Sequence, residues 1–132
     1  MNQVTFLGDV SLLIASMKSR YYLHGDYVFN LEYVIPNRVC QPKTNKVNLH
    51  GSQVDFGSIF GKPPLAVCLA NNHIMDCGIT GYEDTINFLE KENIQYFGAG
   101  TTDENHNNST IIGVNGTRLA LIAYSFFDEK DG

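Results

Sequence analysis

The chain has 132 residues, of which 43% are hydrophobic and 17% are charged, a composition typical of one folded domain rather than of a disordered segment. Nine basic and fourteen acidic residues leave a net charge of −5, which argues against general nucleic-acid binding because the summed field repels phosphate backbones. No apolar run has the length of a membrane span and the first residues lack the pattern of a signal peptide, so we expect a cytoplasmic location for the chain as encoded.

Apolar runs in the first hundred residues predict β-strands separated by helical or irregular segments. The predicted strands are residues 4–7, 27–31, 65–70 and 94–97. The first strand is expected to stop at Gly8, before a helical or irregular segment at residues 11–20. Residues 36–48 are polar and show no periodicity, which indicates a surface loop.

The clearest helix is predicted to begin at Thr80 and to run to Lys91. Thr80 is followed three residues later by Glu83, the pattern of a capping box in which each side chain bonds the other residue's backbone N–H. Apolar residues then recur at helical spacing. The helix is therefore expected to pack one face against the sheet.

The end of the chain predicts a β-hairpin. Asn115-Gly116 favours a type I′ turn, since both of its central residues need positive φ. Strands are expected on either side, at residues 110–114 and 118–124, after a polar loop at 101–109. Strands that alternate with helices and then form a hairpin indicate an α/β layered fold, with one domain over residues 1–132.

The predicted sheet has more apolar surface than the predicted helices can cover. Residues 65–70 and 119–123 are apolar throughout, which is typical of strands that are buried on both faces. Two helices cannot cover six strands. We therefore expect the chain to be the amino-terminal half of a longer sandwich; a partner chain, such as a second copy covering the exposed sheet, is the alternative.

Three cysteines, Cys40, Cys68 and Cys77, are an odd number without C-x-x-C spacing. This argues against a disulfide framework and against a structural zinc knuckle, so reduced and mostly buried thiols are expected. Cys77 lies near the candidate site described next and is expected to be a bystander rather than a ligand. His50 is expected to face solvent.

Polar side chains follow three of the predicted strands. They are Asp9, the pair Asn30 and Glu32, and the group Asn71, Asn72, His73 and Asp76. Because loops at the carboxyl ends of strands in an open α/β sheet converge on one crevice, these side chains are expected to meet. Carboxylates, amides and an imidazole suit a divalent metal such as Mn, Fe or Zn, and close carboxylates would repel each other without one.

These residues resemble a known family in their order and spacing. The segments that carry the resemblance are F-L-G-D at 6–9, F-N-L-E at 29–32, L-A-N-N-H with the following D and G at 69–78, and Y-F-G-A-G at 96–100. They look like the CapA family of poly-γ-glutamate capsule biosynthesis proteins, which is related to the calcineurin-like metallophosphoesterases. The A-N-N-H-x-x-D-x-G block is the specific signal, and the resemblance covers nearly the whole chain.

The resemblance implies a metallophosphoesterase-like fold and a set of site residues. Asp9 corresponds to the first metal-binding aspartate, Glu32 to the bridging carboxylate and Asn72 to the metal-ligating asparagine. His73 corresponds to the histidine that contacts phosphate or protonates the leaving group. The supporting residues are Asn30, Asn71 and Asp76.

Two departures from the family pattern affect the metal site. Ser11 stands where the wider phosphoesterase pattern has a ligating histidine, and Asn71 replaces the glycine of a G-N-H motif. The family's domain also continues beyond this length and supplies further ligands. A complete two-metal site is therefore not expected from these residues alone.

The resemblance implies a capsule biosynthesis protein with metal-dependent phosphoester hydrolysis. The alternative is a non-catalytic assembly or anionic-polymer-binding component. The implied partners are a phosphoester or an anionic polymer and other capsule-synthesis proteins, often at the cell envelope, with no nucleic acid among them. A third hypothesis, a mononucleotide cradled by residues 98–100, is weaker because no helix obviously follows these residues, so a tight turn explains the glycines better.

Overall fold

The computed structural model describes residues 3–13, 21–100 and 108–125. The predicted segment 11–20 lies largely outside the described residues, as does most of the loop at 101–109, while residues 11–13 have no regular structure. The elements in chain order are β1 (Val4–Val10), β2 (Asp26–Leu31), α1 (Phe56–Phe60), β3 (Ala66–Cys68), α2 (Gly78–Lys91), β4 (Gln95–Phe97), β5 (Thr110–Val114) and β6 (Thr117–Leu121).

Strands β1 to β4 form a parallel sheet in the order β1-β2-β3-β4, and β5 pairs with β6 as an antiparallel hairpin. Since the four parallel strands run in the same direction, their carboxyl ends lie along one edge of the sheet. The register places Asp9 opposite Asn30 and Asn30 opposite Cys68 at that edge. The α/β class predicted from the sequence is confirmed.

Strand β1 does not stop at Gly8 as predicted but continues to Val10. The pairing with β2 shifts register between Phe6 and Asp9, so a bulge accommodates Gly8 and the strand resumes beyond it. This irregularity matters for the site because it keeps Asp9 paired with Asn30.

Helices α1 and α2 pack on one face of the sheet. Their buried aromatic and aliphatic side chains form a single core with alternate residues of β2, of β3 and of the position directly after β3, namely Phe56, Phe60, Tyr82, Phe88, Leu89, Tyr27, Phe29, Leu31, Val67 and Leu69. Phe29 meets Phe56 edge to face, with ring centroids 5.4 Å apart. Helix α1 is short and was not predicted; Asp55 caps it by accepting from the backbone N–H of Ser58 at 3.2 Å.

Helix α2 begins at Gly78, two residues before the predicted capping box, so that prediction was wrong. Its N-cap is Cys77, without a side-chain cap bond. The preceding turn replaces the cap, since Gly78, at φ +65°, donates its backbone N–H to the Met75 carbonyl at 2.9 Å. The buried Thr85 hydroxyl then ties the helix to the chain after β2 by accepting from the backbone N–H of Ile35 at 2.9 Å.

The hairpin covers the other face of the sheet. Ile112, Val114 and Leu121 pack with Val28 and Phe97 in a second core. The predicted turn is confirmed, with positive φ of 53° at Asn115 and 78° at Gly116. On the outer side of the hairpin Ile111 is 49% exposed and Ile122 is 57% exposed, so the described residues leave that side uncovered.

The cysteine prediction was wrong. Cys40 and Cys77 form a disulfide, with their Cα atoms 5.0 Å apart, and Cys68 is free. The loop at 36–48 has no helix or strand, as predicted, but it folds back onto the start of α2. Sequence spacing could not show this contact, because the two cysteines are 37 residues apart. Among the described residues, no helix combines the length and the hydropathy that crossing a bilayer requires.

Candidate functional site

Two carboxylates meet at the carboxyl edge of the sheet. The Asn30 amide nitrogen donates to the Asp9 Oδ1 at 2.8 Å and also to the Glu32 Oε2. Both acids therefore lie against one nitrogen atom, although they are 23 positions apart in the sequence. Within the described residues, neither acid forms an ion pair with Lys, Arg or His.

Asn71 joins this cluster to the chain that follows β3. Its amide nitrogen donates to Asn30 Oδ1 at 3.0 Å and to the Leu31 carbonyl at 2.8 Å. Its Oδ1 accepts from the backbone N–H groups of His73 and Ile74, both at 3.0 Å. Both N–H donors and both acceptor positions of the Asn71 amide are thus used within the protein. Asn71 therefore holds the chain in place rather than serving as a metal ligand.

His73 lies next to Asp76, which is fully buried. Its Nδ1 is 2.7 Å from Asp76 Oδ2. The same Asp76 oxygen accepts from the backbone N–H of Leu49 at 2.6 Å, and Asp76 Oδ1 pairs with Lys46 Nζ at 2.8 Å. Burial raises the pKa of Asp76, but the hydrogen bonds from Lys46, His73 and Leu49 outweigh burial, so the pKa lies below its usual value.

Asn72 is exposed and lies beside the other edge of the imidazole ring. Its amide nitrogen is 3.3 Å from His73 Nε2. Among the described residues it hydrogen-bonds His73 rather than Asp9 or Glu32. The structure thus brings Asp9, Asn30, Glu32 and Asn71 into one network, with His73, Asp76 and Asn72 in a second group that is joined to it through Asn71.

Two residues at this edge were not predicted as part of the site. Lys46 balances the charge of Asp76 and also donates to the Asn72 carbonyl. Cys68 stands in register with Asn30, and its thiol pKa is raised by burial and by the charges of Glu32 and Asp9. Cys68 directly precedes the L-A-N-N-H motif that starts at residue 69, so its place near the site could have been predicted from the sequence. Nothing in the sequence indicated that Lys46 lies there.

The chain bends at Gly98, and residues 99 and 100 have no regular structure. Gly98 has φ +88°. Its backbone N–H donates to the Asn108 carbonyl at 2.8 Å, so this N–H is already used within the protein.

The acidic pair has the chemistry of a cation site. Two carboxylates that share one neutral amide carry two negative charges with no cationic side chain against them in the described parts of the chain. Carboxylate oxygens are ligands for hard and borderline divalent cations. The residues present therefore fit a divalent metal at Asp9 and Glu32.

Comparisons with known proteins identify the family. A family model described as bacterial capsule synthesis protein PGA_cap matches residues 15–132. The chain is also similar to the capsule biosynthesis protein CapA of Bacillus anthracis, with 37% identity over 111 residues that make up 81% of this chain. The chain belongs to this family of bacterial capsule synthesis proteins. The CapA resemblance seen in the sequence is confirmed.

The chain spans 27% of the length of the Bacillus anthracis relative. Of the candidate site, Glu32 and the residues from Asn71 to Asp76 lie inside the span matched by the capsule synthesis family model, whereas Asp9 precedes it. The family match thus covers the second and third strand ends of the site.

Proposed function

We propose that this chain is part of a capsule biosynthesis protein with a metallophosphoesterase-like layered fold, in which a divalent-cation site acts on a phosphoester. The observation that carries the proposal is the pair Asp9 and Glu32, which accept from the same Asn30 nitrogen and lack a cationic partner among the described residues. Mn, Fe or Zn suits these donors.

Asp9 and Glu32 are assigned to hold the cation, with Asn72 as a further oxygen donor. Such a cation lowers the pKa of bound water and neutralises charge on phosphoryl oxygens when it is present. Asn30 sets the spacing of the two acids, and Asn71 holds Asn30 in place through the bond between their side chains.

His73 is assigned to protonate the leaving oxygen or to contact the phosphoryl group. Asp76 accepts from Nδ1 and fixes the orientation of the ring, and Nε2, which lies 3.3 Å from the Asn72 amide nitrogen, is the nitrogen assigned to exchange a proton with substrate. Lys46 keeps Asp76 ionised, since it places a positive charge 2.8 Å from the carboxylate.

The second candidate is a non-catalytic component that binds an anionic polymer such as poly-γ-glutamate through a bound cation, or that assembles with other capsule-synthesis proteins. The observation that favours it is the ligand supply. The Asn71 amide is fully engaged, and the Asn72 amide nitrogen bonds His73. The carboxylates of Asp9 and Glu32 are therefore the main ligands that the described residues bring to the site.

Metal content and turnover separate these two functions. The 132-residue chain is dialysed against Mn²⁺ and analysed for bound metal, and hydrolysis of an aryl phosphate is measured. We expect metal binding that Asp9→Asn and Glu32→Gln abolish, and turnover that His73→Ala abolishes while the metal stays bound. Glu92→Gln, an exposed acid at the end of α2, is the matched control and leaves both unchanged.

Binding of metal without turnover would support the polymer-binding function. Absence of metal from the wild-type chain, or metal binding that persists in both carboxylate variants, would contradict the cation site itself.

A further inference from the structure

A second group of metal-ligating side chains lies away from the acidic pair. The ligand atoms of Cys40, His50 and Cys77 all lie within 4.8 Å of one another. Cys77 is buried, Cys40 is half-buried and His50 is exposed. The group shares no residue with the candidate site and is open to solvent on the His50 side.

Each member is held by contacts that do not depend on the disulfide. His50 is fixed by a parallel bridge to Val34, in which Val34 donates to the Leu49 carbonyl and accepts from Gly51, both at 3.0 Å. The loop that carries Cys40 is anchored two residues earlier, where the Arg38 backbone N–H donates to Asp84 at 3.0 Å.

Cys77 is held by the start of α2. It is the N-cap residue, and its carbonyl accepts from the backbone N–H of Gly81 at 3.3 Å. A Cβ at Gly81 would lie 2.5 Å from the Cys77 Cβ. The glycine at position 81 therefore leaves the space that the Cys77 side chain occupies. The three ligands therefore remain neighbours when the S–S bond is cleaved.

We propose that Cys40, His50 and Cys77 bind zinc when the disulfide is reduced. Two thiolates and one imidazole are a typical zinc donor set, with Zn–S of about 2.3 Å and Zn–N of about 2.0 Å. Three protein ligands leave a fourth tetrahedral position for water, which fits the exposed side of His50. Zinc and the disulfide are alternative states of one site, because both use the same two sulfur atoms.

The exchange between the two states balances with a dithiol reductant. The dithiol supplies two electrons and two protons, the S–S bond breaks, two cysteine thiols form, and the reductant becomes a disulfide. On zinc binding the two thiols release two protons to solvent. Such reductants keep thiols reduced in the cytoplasm, whereas disulfides persist in oxidising compartments.

Cobalt(II) is the probe for this site, because sulfur-to-cobalt charge-transfer absorption reports on thiolate ligands and not on metal held by carboxylates. The reduced 132-residue chain is titrated with Co²⁺ without oxygen, and Zn²⁺ is then added. We expect one equivalent of thiolate-bound cobalt, its displacement by zinc, and no such absorption from the oxidised chain.

Variants locate the site. Cys40→Ser and Cys77→Ser are expected to lose the charge-transfer absorption, and the exposed His50→Gln is expected to fold normally and to weaken zinc binding by about tenfold or more. Cys68→Ser is the matched control and is expected to bind like wild type. Zinc should also protect Cys40 and Cys77, but not Cys68, from alkylation in the reduced chain.

The proposal is overturned if the reduced wild-type chain shows no thiolate-bound cobalt. It is also overturned if His50→Gln binds zinc as tightly as wild type, or if zinc fails to protect Cys40 and Cys77 from alkylation.

Discussion

Asp76 is a fully buried carboxylate whose charge is balanced by three donors from two segments of the chain. Lys46 and the Leu49 N–H come from the loop before α1, and His73 comes from the turn before α2. A buried ionised group is stable only when its oxygens are paired. Asp76 thus connects the loop, the turn and the candidate site, and its loss is expected to affect stability as well as activity.

Asp76→Asn is expected to lower the free energy of unfolding by about 1–3 kcal/mol, the usual cost of leaving buried hydrogen-bonding groups without a charged partner. Urea unfolding at neutral pH measures this. Lys46→Met removes the same ion pair from the other side, so the double variant should lose less than the two single losses added together. Strict additivity would show that the pair contributes nothing.

The neighbours of the candidate acids could be predicted from the sequence because parallel strands bring their carboxyl ends to one edge. Asp9, Asn30 and Glu32 do meet there. The partners of Asp76 could not be predicted. Its backbone donor is the N–H of Leu49, 27 residues earlier in the chain, and no local sequence pattern indicates that contact.

Asp84 ties helix α2 to the chain after β2. Its carboxylate accepts from the backbone N–H groups of Asn37 at 2.8 Å and Arg38 at 3.0 Å, and from Arg38 Nε at 2.9 Å. The hydrogen bond from the Arg38 side chain is the largest influence on the pKa of Asp84, which lies below its usual value. Asp84 is 6% exposed, whereas the Arg38 side chain is 52% exposed, so the carboxylate is the buried member of this contact.

The lowered pKa of Asp84 predicts a stability contribution that depends on pH. A carboxylate with a lower pKa in the folded state stabilises the fold fully above its unfolded pKa of about 3.9, and this contribution disappears as the pH falls through the folded value. Asp84→Asn should therefore cost about 1–3 kcal/mol at pH 7 and progressively less below about pH 4. Chemical unfolding across this range measures the difference.

Glu83→Gln is the matched control for Asp84. Glu83 also pairs with Arg38, at 3.3 Å, but its side chain is 54% exposed. A surface ion pair contributes about 0–1 kcal/mol, so this variant should differ little from wild type at any pH. An equal loss in the two variants would show that burial of Asp84 is not what matters.

The existence of α2 was predictable and its beginning was not. Apolar residues at helical spacing indicate which face is buried, and Tyr82, Phe88 and Leu89 are indeed buried in the core. The Thr80 capping box is a local pattern, and it was overridden by the turn that places Cys77 at the N-cap next to Cys40. Long-range contacts of this kind leave no local pattern.

The whole molecule is organised by a sheet whose two faces receive different layers. Helices α1 and α2 pack on one face and the hairpin packs on the other. The apolar run of residues 65–70 predicted burial on both sides, and Val67 and Ala66 are completely buried on opposite faces. The run at 119–123 predicted the same, yet Ala120 and Ile122 are exposed in the described residues.

The Cys40–Cys77 disulfide links the irregular loop at 36–48 to the start of α2 and closes a long segment of chain. Its two cysteines are 37 residues apart. In the chain-entropy model, closing a loop of this size restricts the unfolded state by about 4 kcal/mol. Because this segment contains β3, α1 and the Asp76 loop, the effect concerns the cooperative unfolding of the whole molecule.

Removal of this crosslink is expected to lower the free energy of unfolding of the oxidised protein by up to about 4 kcal/mol. Cys40→Ala and the double variant Cys40→Ala/Cys77→Ala should lose similar amounts, since either change removes the same constraint on the unfolded chain. Urea unfolding with and without reductant measures the effect, and reductant should destabilise wild type but neither variant. Cys68→Ser keeps the disulfide and should retain the response to reductant. A wild-type chain that unfolds at the same urea concentration with and without reductant would contradict the stabilising role of the crosslink.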